Sequence, residues 1–234
     1  MRRTSGPQIT ARDREILGWI SRHGVVTSNQ VARRFFARGD SVVGERAAYR
    51  RLTVLIAMGL VRRDAVPYWR HPHVLRVTTA GSEEGETFVR PARLVQRDIA
   101  HSIAVVDLVE QLLADTPGAS LRTEREIRAD RWHDRDQGRR QPGRGRVPDA
   151  ELTLPSGRIV AVELDLTPKR AKDYERILLA YKQERYDQVW WYIRAITATR
   201  VRKLVADNRA DDFITVIDWM LPASGPPAKP LVGG

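Results

Sequence analysis

Residues 147–167 read Val-Pro-Asp-Ala-Glu-Leu-Thr-Leu-Pro-Ser-Gly-Arg-Ile-Val-Ala-Val-Glu-Leu-Asp-Leu-Thr. Two alternating runs, Val147–Leu154 and Arg158–Leu166, flank Pro155-Ser156-Gly157, a turn tripeptide, so the stretch predicts a β-hairpin. Side chains two apart on a strand share a face, which puts Glu163 with Asp165. The hairpin brings Asp149 toward them. Three gathered carboxylates repel one another unless a cation lies between them, and hard oxygen donors suit Mg²⁺ or Mn²⁺. An ion held among the three would activate water and steady a phosphoryl oxygen in phosphodiester hydrolysis.

Working outward, residues 98–114 form an amphipathic helix pattern, with Ile99, Ile103, Val106 and Leu113 apolar, closed by Pro117 and Gly118. Residues 121–127 suggest a strand, and the charged, Gly-rich residues 130–146 a mobile loop. Beyond the hairpin come a helix over 168–185 with Pro168 in its first turn, a strand over 189–193, a helix over 197–208 and a strand over 213–219. This order predicts an α/β unit with a mixed sheet over residues 98–220. The last residues, 221–234, hold four prolines and three glycines and are expected to be disordered.

Toward the N-terminus, Thr10 with Asp13 and Thr27 with Gln30 are capping pairs that start two short helices, with Ile16, Leu17 and Ile20 on one face of the first and Val31 and Phe35 in the second. A third helix is expected over 43–58, with Leu52, Leu55 and Ile56 as its apolar side and Gly59 as its C-terminal cap. Strands over 60–64 and 74–79 follow, joined by a loop containing Pro67 and Pro72. Three helices and a hairpin are the order of a winged helix-turn-helix, assigned to residues 1–86, with 87–97 as a linker. In that arrangement the third helix enters the major groove. Arg46, Tyr49, Arg50 and Arg51 are its candidate contacts, Arg33 and Arg34 approach the backbone from the preceding helix, and Trp69 and Arg70 lie in the wing. His71 and His73 lack the neighbouring ligands a metal needs, and His101 reads as a packing histidine.

The chain has 234 residues and net charge +11. Residues 1–96 hold 17 arginines and 8 acids, and residues 97–234 hold 23 basic and 21 acidic residues, so the excess is almost wholly N-terminal. A localised basic surface attracts polyanions, and double-stranded DNA is the expected partner. There is no cysteine, which excludes disulfides, thiolate metal sites and cysteine nucleophiles. No apolar run of membrane-spanning length and no signal-peptide pattern is found, so a cytoplasmic chain without a membrane partner is expected.

At Pro148-Asp149 and Glu163-x-Asp165 the chain resembles the PD-(D/E)XK nuclease superfamily, and the element order over 98–193 resembles its αβββαβ core. That resemblance implies metal binding by Asp149 and Glu163 and a lysine that assists the nucleophile. Asp165 stands where the lysine is expected, and Lys169 or Lys172 from the following helix is the candidate replacement. Glu126 matches an additional acid of some members. The whole chain, over roughly residues 10–195, resembles the replication-relaxation proteins of mobile elements through Pro148-Asp149-Ala150, Val162-Glu163-Leu164-Asp165-Leu166-Thr167, Tyr181, and Ala100-His101-Ser102 before Val105-Val106-Asp107.

The reading is therefore an N-terminal winged helix followed by a PD-(D/E)XK-like mixed α/β domain. It implies a double-stranded DNA-binding protein of a plasmid, phage or other mobile element, acting in replication, DNA processing or their regulation. The alternatives are a metal-dependent endonuclease, with Asp149, Glu163, Asp165 and Lys169 as its catalytic set, and a transcriptional repressor. The altered lysine position points away from an enzyme. No cofactor is required unless the acidic site is active, in which case it is Mg²⁺ or Mn²⁺. Trp190 and Trp191 serve as core or as a homodimer contact, and replication or relaxosome proteins are further expected partners.

Overall fold

The computed structural model describes residues 8–37, 41–66, 72–136, 146–184 and 186–220. It is a mixed α+β structure with two sheets, dividing between Val106 and Asp107 into two compact units. The expected wing residues Trp69, Arg70 and His71, residues 137–145 of the charged loop, and the tail 221–234 lie outside the described residues.

In the first unit, α1 (Ala11–His23) starts at Thr10, whose side chain accepts from the Asp13 amide while Asp13 accepts from the Thr10 amide. α2 (Ser28–Phe36) has the same reciprocal cap between Thr27 and Gln30. Such boxes satisfy amides that the first turn leaves without partners. α3 (Ser41–Ala57) ends at Gly59, whose φ of 73° is the left-handed geometry that glycine adopts freely. β1 (Val61–Ala65) and β2 (His73–Val77) pair antiparallel, with Val61 opposite Val77. Val26 adds a single bridge to Leu75. Ile16, Leu17, Ile20, Val31, Leu52, Leu55, Val61 and Leu75 form the core beneath the helices.

After β2 the chain turns directly into a further helix, α4 (Thr79–Glu84). It is capped by the Thr78 hydroxyl, and its cap residue Gly85 packs backbone to backbone on Gly18 of α1. Residues 87–92 have no regular structure but are fastened to this unit. Val89 is buried, its carbonyl accepts from Ser21 and Ser82, and the Ala92 carbonyl accepts from Arg76.

A 3-10 turn at Gln96–Asp98 leads into α5 (Ile99–Asp115), which carries the chain across the division. The second unit is built on a five-stranded sheet of order β3-β4-β5-β6-β7. β3 (Ser120–Thr123), β4 (Ala150–Thr153) and β5 (Ile159–Asp165) are antiparallel neighbours, while β6 (Gln188–Ile193) and β7 (Ile214–Asp218) run parallel to β5 and to each other. Parallel neighbours require crossovers, supplied by α7 (Ala171–Lys182) and α8 (Ala195–Asp207).

Two expectations change here. The strand predicted over 121–127 stops at Thr123, and α6 (Glu124–Asp136) takes over, occupying part of the expected mobile loop. Thr123 and Glu126 form a third capping box, which fixes the switch from strand to helix. The helix predicted from Pro168 begins only at Ala171. Tyr174, Ile177, Leu178 and Tyr181 of α7 pack with Ala161, Trp191 and Ile193 on one face of the sheet. Trp191 is thus a core residue, whereas Trp190 is half-buried and donates to Gln188.

Candidate functional site

Helical geometry separates α3 into two sides. Ala48, Leu52 and Leu55 are buried. Arg46, Tyr49 and Arg50 are exposed, Tyr49 at 57 %. These three, with Glu45, line an open groove of about 650 Å³ against Ser28, Asn29 and Ala32 of α2. Arg33 and Arg34 are exposed in the last turn of α2. Four of the expected cations therefore stand on the α2–α3 surface.

Arg51 does not join them. One more residue along the helix turns it toward α1, where its Nε donates to Asp13 Oδ1 at 2.6 Å and its second nitrogen reaches the other oxygen of Asp13 and the Gln8 carbonyl. Burial opposes ionisation of Asp13, but the bonds from Arg51 and Thr10 hold its carboxyl below the ordinary value. Arg51 is thus a strut between α1 and α3.

On the sheet, Glu163 and Asp165 share a face as their spacing requires, and both are buried. Ala150 is opposite Val162, so continuing the register by one residue sets Asp149 opposite Glu163. Each carboxylate has a donor from the chain. Arg146 grips both Glu163 oxygens, at 2.7 and 2.8 Å, and the Tyr181 hydroxyl donates to Glu163 from α7. Asp149 accepts from the Leu164 amide at 2.8 Å. Asp165 is ion-paired with Lys169, leaving its second oxygen buried without a hydrogen-bond donor. Lys169, one of the two candidate replacement lysines, therefore does reach the acids. Glu126 is turned to the cap of α6, accepting from the Thr123 amide and hydroxyl at 2.9 Å.

Burial, then the Asp149 charge, push the Glu163 carboxyl above its usual range, against the opposing pull of Arg146 and Tyr181. Burial works against the Arg146 charge as well, but the bonds and charge of Glu163 outweigh it and raise the guanidinium. Tyr181 is held protonated by burial and by Glu163. Burial lowers the Lys169 ammonium although the nearby carboxylates favour its charge.

A second cluster of the same make-up sits one step along the sheet. Glu151 accepts from Tyr186 and from Arg122, each at 2.7 Å, and Arg122 also pairs with Asp130 of α6. Arg131 donates to the Arg146 carbonyl at 3.4 Å and lies 3.9 Å from Glu184. Sequence reasoning missed Arg146, Arg122 and Glu151, because an arginine among many carries no spacing signal until its partner is known.

A divalent ion does not fit this arrangement. Among the described residues no group of three or more acidic or histidine side chains is placed to hold one. Both Glu163 oxygens are already engaged, and a guanidinium supplies the positive charge.

A model of the replication-relaxation family matches residues 17–208, a span that takes in α2, α3, the acidic hairpin and Tyr181. The chain belongs to the replication-relaxation family. No curated protein and no solved structure matches it. The membership agrees with the motifs that carried the resemblance. Among the described residues of this replication-relaxation chain, no helix is long and apolar enough to cross a membrane.

Proposed function

We propose that this replication-relaxation protein binds double-stranded DNA and acts in the replication or processing of a mobile element. The first unit is read as a winged helix-turn-helix, with α3 entering the major groove, α2 lying across the backbone and the β1–β2 hairpin as the wing. The observation that carries this reading is the segregation on α3: Arg46, Tyr49 and Arg50 are exposed on one side and Ala48, Leu52 and Leu55 are buried on the other. Arginine is suited to bidentate contact with guanine edges and with phosphates. The N-terminal charge excess supplies the long-range attraction. The second unit is read as a PD-(D/E)XK-like domain, supported by the helix before its sheet, the acidic β4–β5 hairpin and the crossover α7.

The test is duplex binding by fluorescence anisotropy over a series of salt concentrations. Arg50→Ala and Arg46→Ala should each weaken binding by about 1–3 kcal/mol if they read bases, or lower the salt slope by about one if they hold phosphates. Wild-type affinity and slope in the double variant would remove α3 as the reading helix.

A further inference from the structure

The acidic hairpin resembles a two-metal-ligand nuclease site in sequence, yet Glu163 and Asp165 are each paired with a cation from within the chain. We infer that Arg146 is a built-in cation that takes the place of a divalent ion, so that this site is metal-free as folded. The inference concerns the second unit alone and does not depend on the DNA-binding reading.

Three observations carry it. First, the guanidinium is bidentate on Glu163, at 2.7 and 2.8 Å, and the Glu163 side chain is 4 % exposed against 31 % for Arg146. A planar fork matched to a carboxylate is the strongest form of this contact, and it engages both oxygens. Second, the neighbouring acids are also supplied by the chain: Asp149 by the Leu164 amide, Asp165 by Lys169. Third, Tyr181 donates a further bond to Glu163 from beneath. A hard cation would need these oxygens for itself and would have to displace Arg146, leaving its guanidinium close to the ion. Two cations on one buried carboxylate repel.

The same geometry implies what removal of Arg146 does. Glu163 would be left buried beside Asp149 with no counter-charge, the situation in which an added ion is most favoured. The experiment is Mn²⁺ titration of the full chain, read by electron paramagnetic resonance of the free ion, with circular dichroism to confirm folding. Wild type and Arg146→Lys, which keeps a cation, should take up no Mn²⁺ at the acids. Arg146→Ala should gain about tenfold or more in Mn²⁺ affinity, and Arg146→Ala with Glu163→Gln should lose that gain.

Wild-type binding that disappears in Glu163→Gln would overturn the inference directly. A folded Arg146→Ala protein that gains no Mn²⁺ binding would overturn it too. Should Arg146→Ala not fold, the wild-type and Arg146→Lys titrations decide, because Mn²⁺ held through Glu163 in either would refute a metal-free site. None of these readouts uses DNA, so failure here leaves the α3 reading standing, and failure of duplex binding leaves this one.

Discussion

Replacing Arg51 by alanine separates structure from recognition on α3. Asp13 is 1 % exposed and Arg51 is 24 % exposed, with two guanidinium nitrogens on the two carboxylate oxygens. Breaking a buried pair by deleting one partner costs about 3–5 kcal/mol, because the other charge stays buried. Here the cost is smaller. Water can reach the vacated side, and Asp13 keeps its bonds from the Thr10 amide and hydroxyl. We expect about 2–3 kcal/mol, or a fall of about 10–20 °C in the melting temperature of a unit of this size. The assay is urea and thermal denaturation of Arg51→Ala, Asp13→Asn and the double variant. The cycle should return a coupling of about 1–3 kcal/mol. Below the melting range, Arg51→Ala should keep the wild-type salt slope for duplex DNA. A variant as stable as wild type, or one whose salt slope drops as Arg50→Ala is expected to do, would refute the strut.

Other perturbations follow from the same packing. His23 packs at a tilt against Trp19 with ring centroids 4.8 Å apart, and burial, aided by Arg22 and Arg34, lowers its pKa from 6.5 to about 3. The unfolded chain therefore takes up a proton that the folded unit refuses. Stability from this group is complete above about pH 6.5 and is lost as pH falls toward 3, by about 1–2 kcal/mol at pH 5; His23→Gln should flatten that part of a stability–pH profile. A Cβ on Gly81 would meet the Leu60 carbonyl at 2.0 Å, so Gly81→Ala should cost about 2–3 kcal/mol in urea denaturation. Tyr181→Phe removes a donor from buried Glu163 and should cost about 1–3 kcal/mol in urea denaturation.

What the sequence made legible was mostly local. Thr10 with Asp13 and Thr27 with Gln30 announce helix starts because a capping box closes within three residues. Glu163 and Asp165 fall on one buried face because strand alternation leaves no choice. The same local rule, applied to Thr123 and Glu126, would have found α6. It was obscured because Ile127 is the only buried aliphatic of the helix among the described residues, so the apolar period is nearly silent. Of the partners of the acids, Lys169 and Tyr181 were legible only through the family resemblance, and Arg146 was not. Arg146 and Tyr181 lie 17 and 18 residues from Glu163 on either side, and only the hairpin and the crossover bring them together. Arg51 looked like Arg50 in the sequence; a partner 38 residues away, in α1, distinguishes them.

The seam of carboxylates, guanidinium groups and phenols on the sheet has a thermal consequence. Unfolding the second unit hydrates Glu151, Glu163 and Asp165 along with its aliphatic core. Hydrating polar surface lowers the heat capacity of unfolding, whereas hydrating aliphatic surface raises it. The cost of withholding water from charges also shrinks on heating. These buried polar groups therefore offset part of the heat-capacity increment that the aliphatic core of the same unit contributes.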